Sequence, residues 1–251
     1  MKLSLSKLLA IAIWLPSLIL IGWSGFNLYE QFQTYQSEQK VVKYLKLGNK
    51  LENLLVYLGQ ERGISSIYSV SKGNYPKSKE LLMQKRKLFD TAIYDLKKFL
   101  NKNPEFYNIT KRVLNTLNKL PQIRKKIDSF EEDYVHKYFF TYYTVLENQI
   151  LNTEAKIFQH FPQTVKPNFA LKLELDKIIA YSGITRGFVS YFITADLPMS
   201  QKDYEYVLMK YYHDSNILIT SLSKNLQAKI FFENPKFIKI ENSIKDSNFL
   251  Y

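Results

Sequence analysis

The 251-residue chain contains no cysteine, which excludes a disulfide framework, a thiolate nucleophile and a cysteine-built zinc cluster. Histidine is nearly as scarce: His136, His160 and His213 are dispersed, without H-x-x-x-H or partner-carboxylate spacing, so neither a metal site nor a catalytic imidazole is expected. The phosphate-binding loops G-x-x-x-x-G-K-[ST] and G-x-G-x-x-G and the nucleophile elbow G-x-S-x-G are missing as well. No enzyme chemistry, metal or cofactor is therefore expected. No stretch pairs β-alternation with hairpin turn residues, which leaves an all-α fold. Arginine and glycine are sparse too, with five arginines against thirty lysines and eight glycines in all.

That scarcity makes their placement informative. Residues 57–68 read YLGQERGISSIY and residues 181–192 read YSGITRGFVSYF, so both fit Y-x-G-x-x-R-G-x-x-S-x-[YF] at a spacing of 124 residues. Two of the five arginines, Arg62 and Arg186, and four of the eight glycines, Gly59, Gly63, Gly183 and Gly187, fall in this pattern. The apolar spacing around each copy is helical, and a glycine inside a helix costs about 1 kcal/mol against alanine. At 100° per residue, Leu55, Leu58, Gly59, Arg62, Ser65, Ser66 and Ser69 share one face of the first helix. Ile179, Ser182, Gly183, Arg186, Val189, Ser190 and Ile193 share the matching face of the second.

A guanidinium on such a stripe keeps its charge and needs a carboxylate from a neighbouring helix or an anion from outside. Two readings follow. In one, small residues form a helix-packing seam, and Arg62 and Arg186 pair with internal acids such as Glu52, Glu147 or Glu174, making the chain an anchored helical scaffold. In the other, the two arginines clamp a small planar anion, ringed by Ser65, Ser66 and Ser190 and approached over bare glycine backbone. The flat fork of arginine suits a trigonal oxyanion better than the point charge of lysine.

The formal charge of +12 is spread along the chain and interleaved with acids, including the runs at 77–87 and 123–128, as on solvated helix faces; no nucleic-acid partner is expected. Residues 8–29 carry no charged side chain over 22 positions, enough to cross a bilayer of roughly 30 Å. Lys2 and Lys7 precede them, so residues 1–7 are expected in the cytoplasm, 8–29 as a span of the inner membrane, and 30–251 outside it in the periplasm. Trp23 and Tyr29 suit the outer interface, and Pro16 is tolerable within a membrane helix.

Helix signals place one long helix from the span to about residue 71, broken at SKGNYP, then helices over about 77–101, 103–118, 131–160 and 168–195, with a shorter segment at LPQIRKKIDS. The repeat extends beyond the arginine motifs. Leu82-Met83 recurs as Leu208-Met209, and N-P-x-F-x-x-I recurs at 103–109 and 234–240. This order predicts two pseudo-symmetric helical halves, about 30–130 and 131–251. The second half lacks a counterpart of the helix at 131–160, so a last helix followed by a second span is expected beyond Tyr251. The aromatic cluster from Tyr138 to Tyr143 reads as core.

The anchor, the duplicated helical region, ERGISSIY, YYTVLENQI and TRGFVSYF together resemble the NIT domain, the nitrate- and nitrite-sensing domain of bacterial membrane receptors. Where the first copy has Glu61, the second has Thr185. The resemblance implies a helical sensor binding nitrate or nitrite between its halves through Arg62 and Arg186. It further implies a homodimeric receptor, of the methyl-accepting chemotaxis type, that passes a conformational signal across the membrane.

Overall fold

The computed structural model describes residues 5–131, 133–163 and 166–224, with the side chains of 5–13, 168 and 223 outside that set. It is all helical, with no strand among the described residues. The chain divides into two units, residues 1–46 and 47–251. Helix α1 (Leu5–Val70) begins in the first unit and ends in the second.

In the first unit α1 carries Pro16 and many exposed apolar side chains: Trp14, Leu15, Leu18, Ile19, Leu20, Ile21, Trp23, Phe26, Leu28 and Tyr29 are each more than half exposed. The start of the expected membrane span, residues 8–13, lies outside the described side chains. Among the described residues no helix is long and apolar enough to cross a membrane.

In the second unit α1 buries Leu47, Leu51, Leu54, Leu55 and Leu58, one stripe at helical spacing. It ends where the sequence places a break, at Gly73, whose φ of 77° suits a residue without a side chain and lets its N–H reach the Tyr68 carbonyl at 2.9 Å. Helix α2 (Ser78–Lys102) follows and buries Leu82, Phe89, Leu96 and Leu100. A 3₁₀ turn started by Pro104 leads into α3 (Tyr107–Leu117), and Pro121 sits in the first turn of α4 (Leu120–Asp128).

The helix expected over 131–160 has two windings. Val135–Tyr143 is a π-helix, and α5 (Thr144–Gln159) continues it. The Thr144 hydroxyl donates to the Phe139 carbonyl at 2.9 Å, helping to satisfy a carbonyl at the junction. Helix α6 (Lys166–Ala195) packs along α5, and after a loop α7 (Gln201–Val207) starts on a Ser200 cap that accepts the Asp203 N–H at 3.1 Å. A second π segment, Leu208–Tyr212, leads to α8 (His213–Ser223).

The face of α6 differs from the one chosen by spacing. Ile179, Ser182, Arg186, Val189 and Ile193 are exposed, while Phe169, Leu173, Ala180, Ile184, Gly187 and Phe188 are buried. Apolar residues occur all round α6, so period alone selects neither side. Of the repeat landmarks, Leu82 is buried and its counterpart Leu208 half-buried; the second N-P-x-F-x-x-I, at 234–240, lies outside the described residues.

The helix crossing makes two glycines unequal. A Cβ on Gly187 would meet the Phe139 ring at 3.1 Å, whereas one on Gly63 would meet nothing within 4 Å. Gly187→Ala is expected to destabilise the fold by about 1–3 kcal/mol through overpacking. Gly63→Ala should stabilise it by roughly 0.5–1 kcal/mol through helix propensity. Urea unfolding of both variants checks the contrast.

Candidate functional site

The four motif glycines converge where α1 passes α6 and the π segment. A Cβ on Gly187 would lie 3.8 Å from the Gly63 Cα, one on Gly183 would lie 3.4 Å from Arg62 Nη2, and one on Gly59 would lie 4.0 Å from Glu147 Oε1. Bare backbone thus lets the helices close around one charged group.

That group is Arg62, fully buried. Its Nη1 donates to the equally buried Glu147 carboxylate, and its guanidinium carbon lies 5.0 Å from the centre of the Phe139 ring. Nε and Nη2 have no hydrogen-bond partner among the described residues. The guanidinium therefore turns one N–H toward its counter-ion and keeps a two-donor edge free, with Gly183 beside Nη2. A buried donor without an acceptor costs about 1–3 kcal/mol, and here two share one edge. Burial pushes the Glu147 carboxyl up from the usual range, and the attraction of Arg62 opposes that shift.

The π segment builds the wall. Its turn is wider than that of an α-helix, so Tyr134, Phe139, Tyr143 and Glu147, four or five positions apart, serve one region. The Tyr134 hydroxyl donates to the Arg62 carbonyl at 2.9 Å, and the Tyr143 hydroxyl donates to Glu61 at 3.0 Å. Burial raises the pKa of both phenols, so both are neutral donors near neutral pH.

Glu61, beside Arg62 in sequence, is fully buried and gripped in a fork by Arg124, at 2.8 Å from Nε and 2.6 Å from Nη2, with Arg86 at 3.9 Å. Arg124 is tied in turn to Asp90 at 2.7 Å, and Arg86 to Asp128 at 2.8 Å. This network locks α1 to α2 and α4. Sequence reasoning missed it; the signal available was that four of only five arginines, Arg62, Arg86, Arg112 and Arg124, lie within the first half of the chain.

Of the other expected site residues, Ser65 and Ser66 are buried beside Arg62, and the Ser66 hydroxyl donates to the Gly63 carbonyl at 2.6 Å, with the Gly187 carbonyl at 3.4 Å. Ser190 is half-buried on α6. Arg186 is exposed, one turn along α6 from Gly183. One arginine of the pair is therefore enclosed and has its carboxylate, while the other faces outward.

A second polar cluster joins α1, α5 and α6. Lys172 Nζ lies 2.5 Å from Asp176, 3.2 Å from Glu52 and 3.7 Å from the buried Glu154. Burial, with the like charges of Asp176 and Glu52, pushes the Glu154 carboxyl up to about 8 against the pull of Lys172. The folded state then holds this proton more tightly than the unfolded chain. Its contribution to stability is complete below about pH 4.5 and is lost as the pH rises to about 8. The melting temperature is expected to fall by several degrees between about pH 5 and pH 8.5, with Glu154→Gln making the slope shallower; calorimetric melts across that range check it.

No curated protein matches the chain. The structure of the NasR transcription antiterminator is similar at a TM-score of 0.69, over 85 % of this chain and 58 % of that one, with 14 % sequence identity, a likeness of fold. The chain thus spans little more than half the length of that protein. A family model described as nitrate and nitrite sensing matches residues 53–207, from within α1 to the end of α7, and takes in both arginine motifs. The chain belongs to the NIT family of nitrate- and nitrite-sensing domains.

Proposed function

We propose that this chain is the ligand-sensing region of a membrane signalling receptor and that nitrate or nitrite seats on the free edge of Arg62. The observation that carries this reading is the pair of unpartnered donors, Nε and Nη2, on a fully buried guanidinium. Two parallel N–H groups match two oxygens of a planar oxyanion, and Gly183 keeps the flanking backbone bare. Arg186, exposed one turn along α6 from Gly183, draws the anion toward that face. The family senses these anions and is not a catalytic one, which fits a site offering donors and no nucleophile.

Membrane attachment rests on residues 8–29, charge-free over 22 positions, and on the exposed apolar side chains that follow from Trp14 to Tyr29. The periplasmic placement of residues 30–251 rests on Lys2 and Lys7 before that run. A homodimer is supported by the exposed row Ile179, Val189 and Ile193 on α6. The internal order of motifs supports two related halves. A fold shared with a transcription antiterminator does not set the output, so the receptor role, of the chemotaxis type, rests on the apolar run and the motif resemblance.

A second reading has its own observation: Glu147 already neutralises Arg62, as in a purely structural seam. Calorimetric titration of the chain with nitrate and nitrite separates the two. Saturable binding is expected, with Arg62→Ala weakening it by about 2 kcal/mol or more and Arg186→Ala by under about 1 kcal/mol, as for an exposed charge. A chain that binds neither anion, and an Arg62→Ala variant that only melts lower, would establish the scaffold reading.

A further inference from the structure

We infer that Glu147 is the internal counter-ion that an oxyanion must neutralise at Arg62, so that binding takes up one proton and favours monovalent over divalent anions. This rests on the reading of Arg62 as the anion's partner.

The geometry sets up the competition. Arg62 and Glu147 are both buried and are each other's ion-pair partner, so the enclosed pair is neutral. An oxyanion on the Nε–Nη2 edge would share that single guanidinium with the carboxylate on Nη1. Two negative charges would then face one positive charge in a region walled by Phe139 and closed by the α6 backbone at Gly183, where little water screens them. Neutrality is restored most directly by a proton on Glu147, which leaves guanidinium, monovalent anion and carboxylic acid with no net charge. A divalent anion would leave one negative charge over.

The surroundings send the proton to this carboxylate. Arg62 on α1 is the cation that stabilises ionised Glu147, and Tyr181 on α6 and Tyr211 in the second π segment also face it. Both phenols have their ionisation pushed up, by burial first, and so stay neutral. Glu61 is held by Arg124 and by the Tyr143 hydroxyl, so its charge is already compensated. Burial by itself drives Glu147 toward its acid form, and the attraction of Arg62 is what resists. An anion that takes a share of Arg62 weakens that resistance and raises the proton affinity of Glu147 further. Affinity must then fall as pH rises, by up to tenfold per pH unit, between the pKa of Glu147 in the free and in the bound state.

The test is calorimetric titration of the full chain with sodium nitrate at one pH in two buffers of different ionisation enthalpy, repeated across pH and with sodium sulfate. Close to one proton taken up per nitrate, affinity falling with pH, and sulfate at least tenfold weaker are expected. Glu147→Gln should bind nitrate at least as tightly as the parent at neutral pH, with proton uptake and pH dependence gone. The buffer comparison on the parent chain decides the matter if that variant does not fold. Nitrate binding without proton uptake, lost in Arg186→Ala, would make Arg186 the balancing charge and overturn the inference while leaving the sensing role intact. Glu147→Gln losing nitrate binding as completely as Arg62→Ala would also overturn it, because Glu147 would then hold Arg62 in place rather than oppose the anion. No nitrate binding by the parent at any pH would overturn the sensing role itself.

Discussion

A guanidinium cannot give up its charge on burial, and Arg62 is fully buried. Much of the second unit is arranged around that fact. Glu147 supplies the opposite charge from α5, and the Phe139 ring offers its face to the cation. Gly183 and Gly187 leave bare backbone where α6 must approach closely enough to enclose the group. The π winding before α5 brings aromatic positions four and five residues apart toward the same centre. Each feature would be a liability in an ordinary helical bundle, where glycine lowers helix stability and a wide turn weakens the backbone ladder.

Around this centre lies a more rigid frame. The Glu61–Arg124 fork and the Tyr143 and Tyr134 hydroxyls hold α1 against α2, α4 and the π segment with bonds at both carboxylate oxygens. Glu61 is thus saturated, whereas its neighbour Arg62 has two donors left over. Adjacent residues on one helix differ: one charge is fully satisfied and locks helices, the other is only partly satisfied. A sensing site requires that difference, because a ligand acts only through groups whose bonding it can improve.

Much of this was legible in the chain. Helix breaks at Gly73 and just before Pro104 follow from local chemistry and stand where expected. The motif glycines could be picked out because a costly residue recurred at fixed spacing, and they do meet. The face of α6 was not legible: apolar residues lie on both sides of that helix, and only the packing of Phe188 and Ile184 decides which side is inner. The outward position of Arg186 follows from the same choice. Glu147 could be named only as one of several acids, since a partner 85 residues away is set by tertiary packing. The π segment and the Glu61–Arg124 fork left no periodic trace at all.

The central claim is that the free edge of Arg62 receives the oxyanion. The most direct measurement is the side-chain Nε–H resonances of the chain labelled with ¹⁵N-arginine, followed during a nitrate titration. The account predicts that the Arg62 resonance moves along a saturable curve while that of Arg124, whose Nε is bonded to Glu61, stays in place. Saturable nitrate binding with the Arg62 resonance unmoved would contradict it.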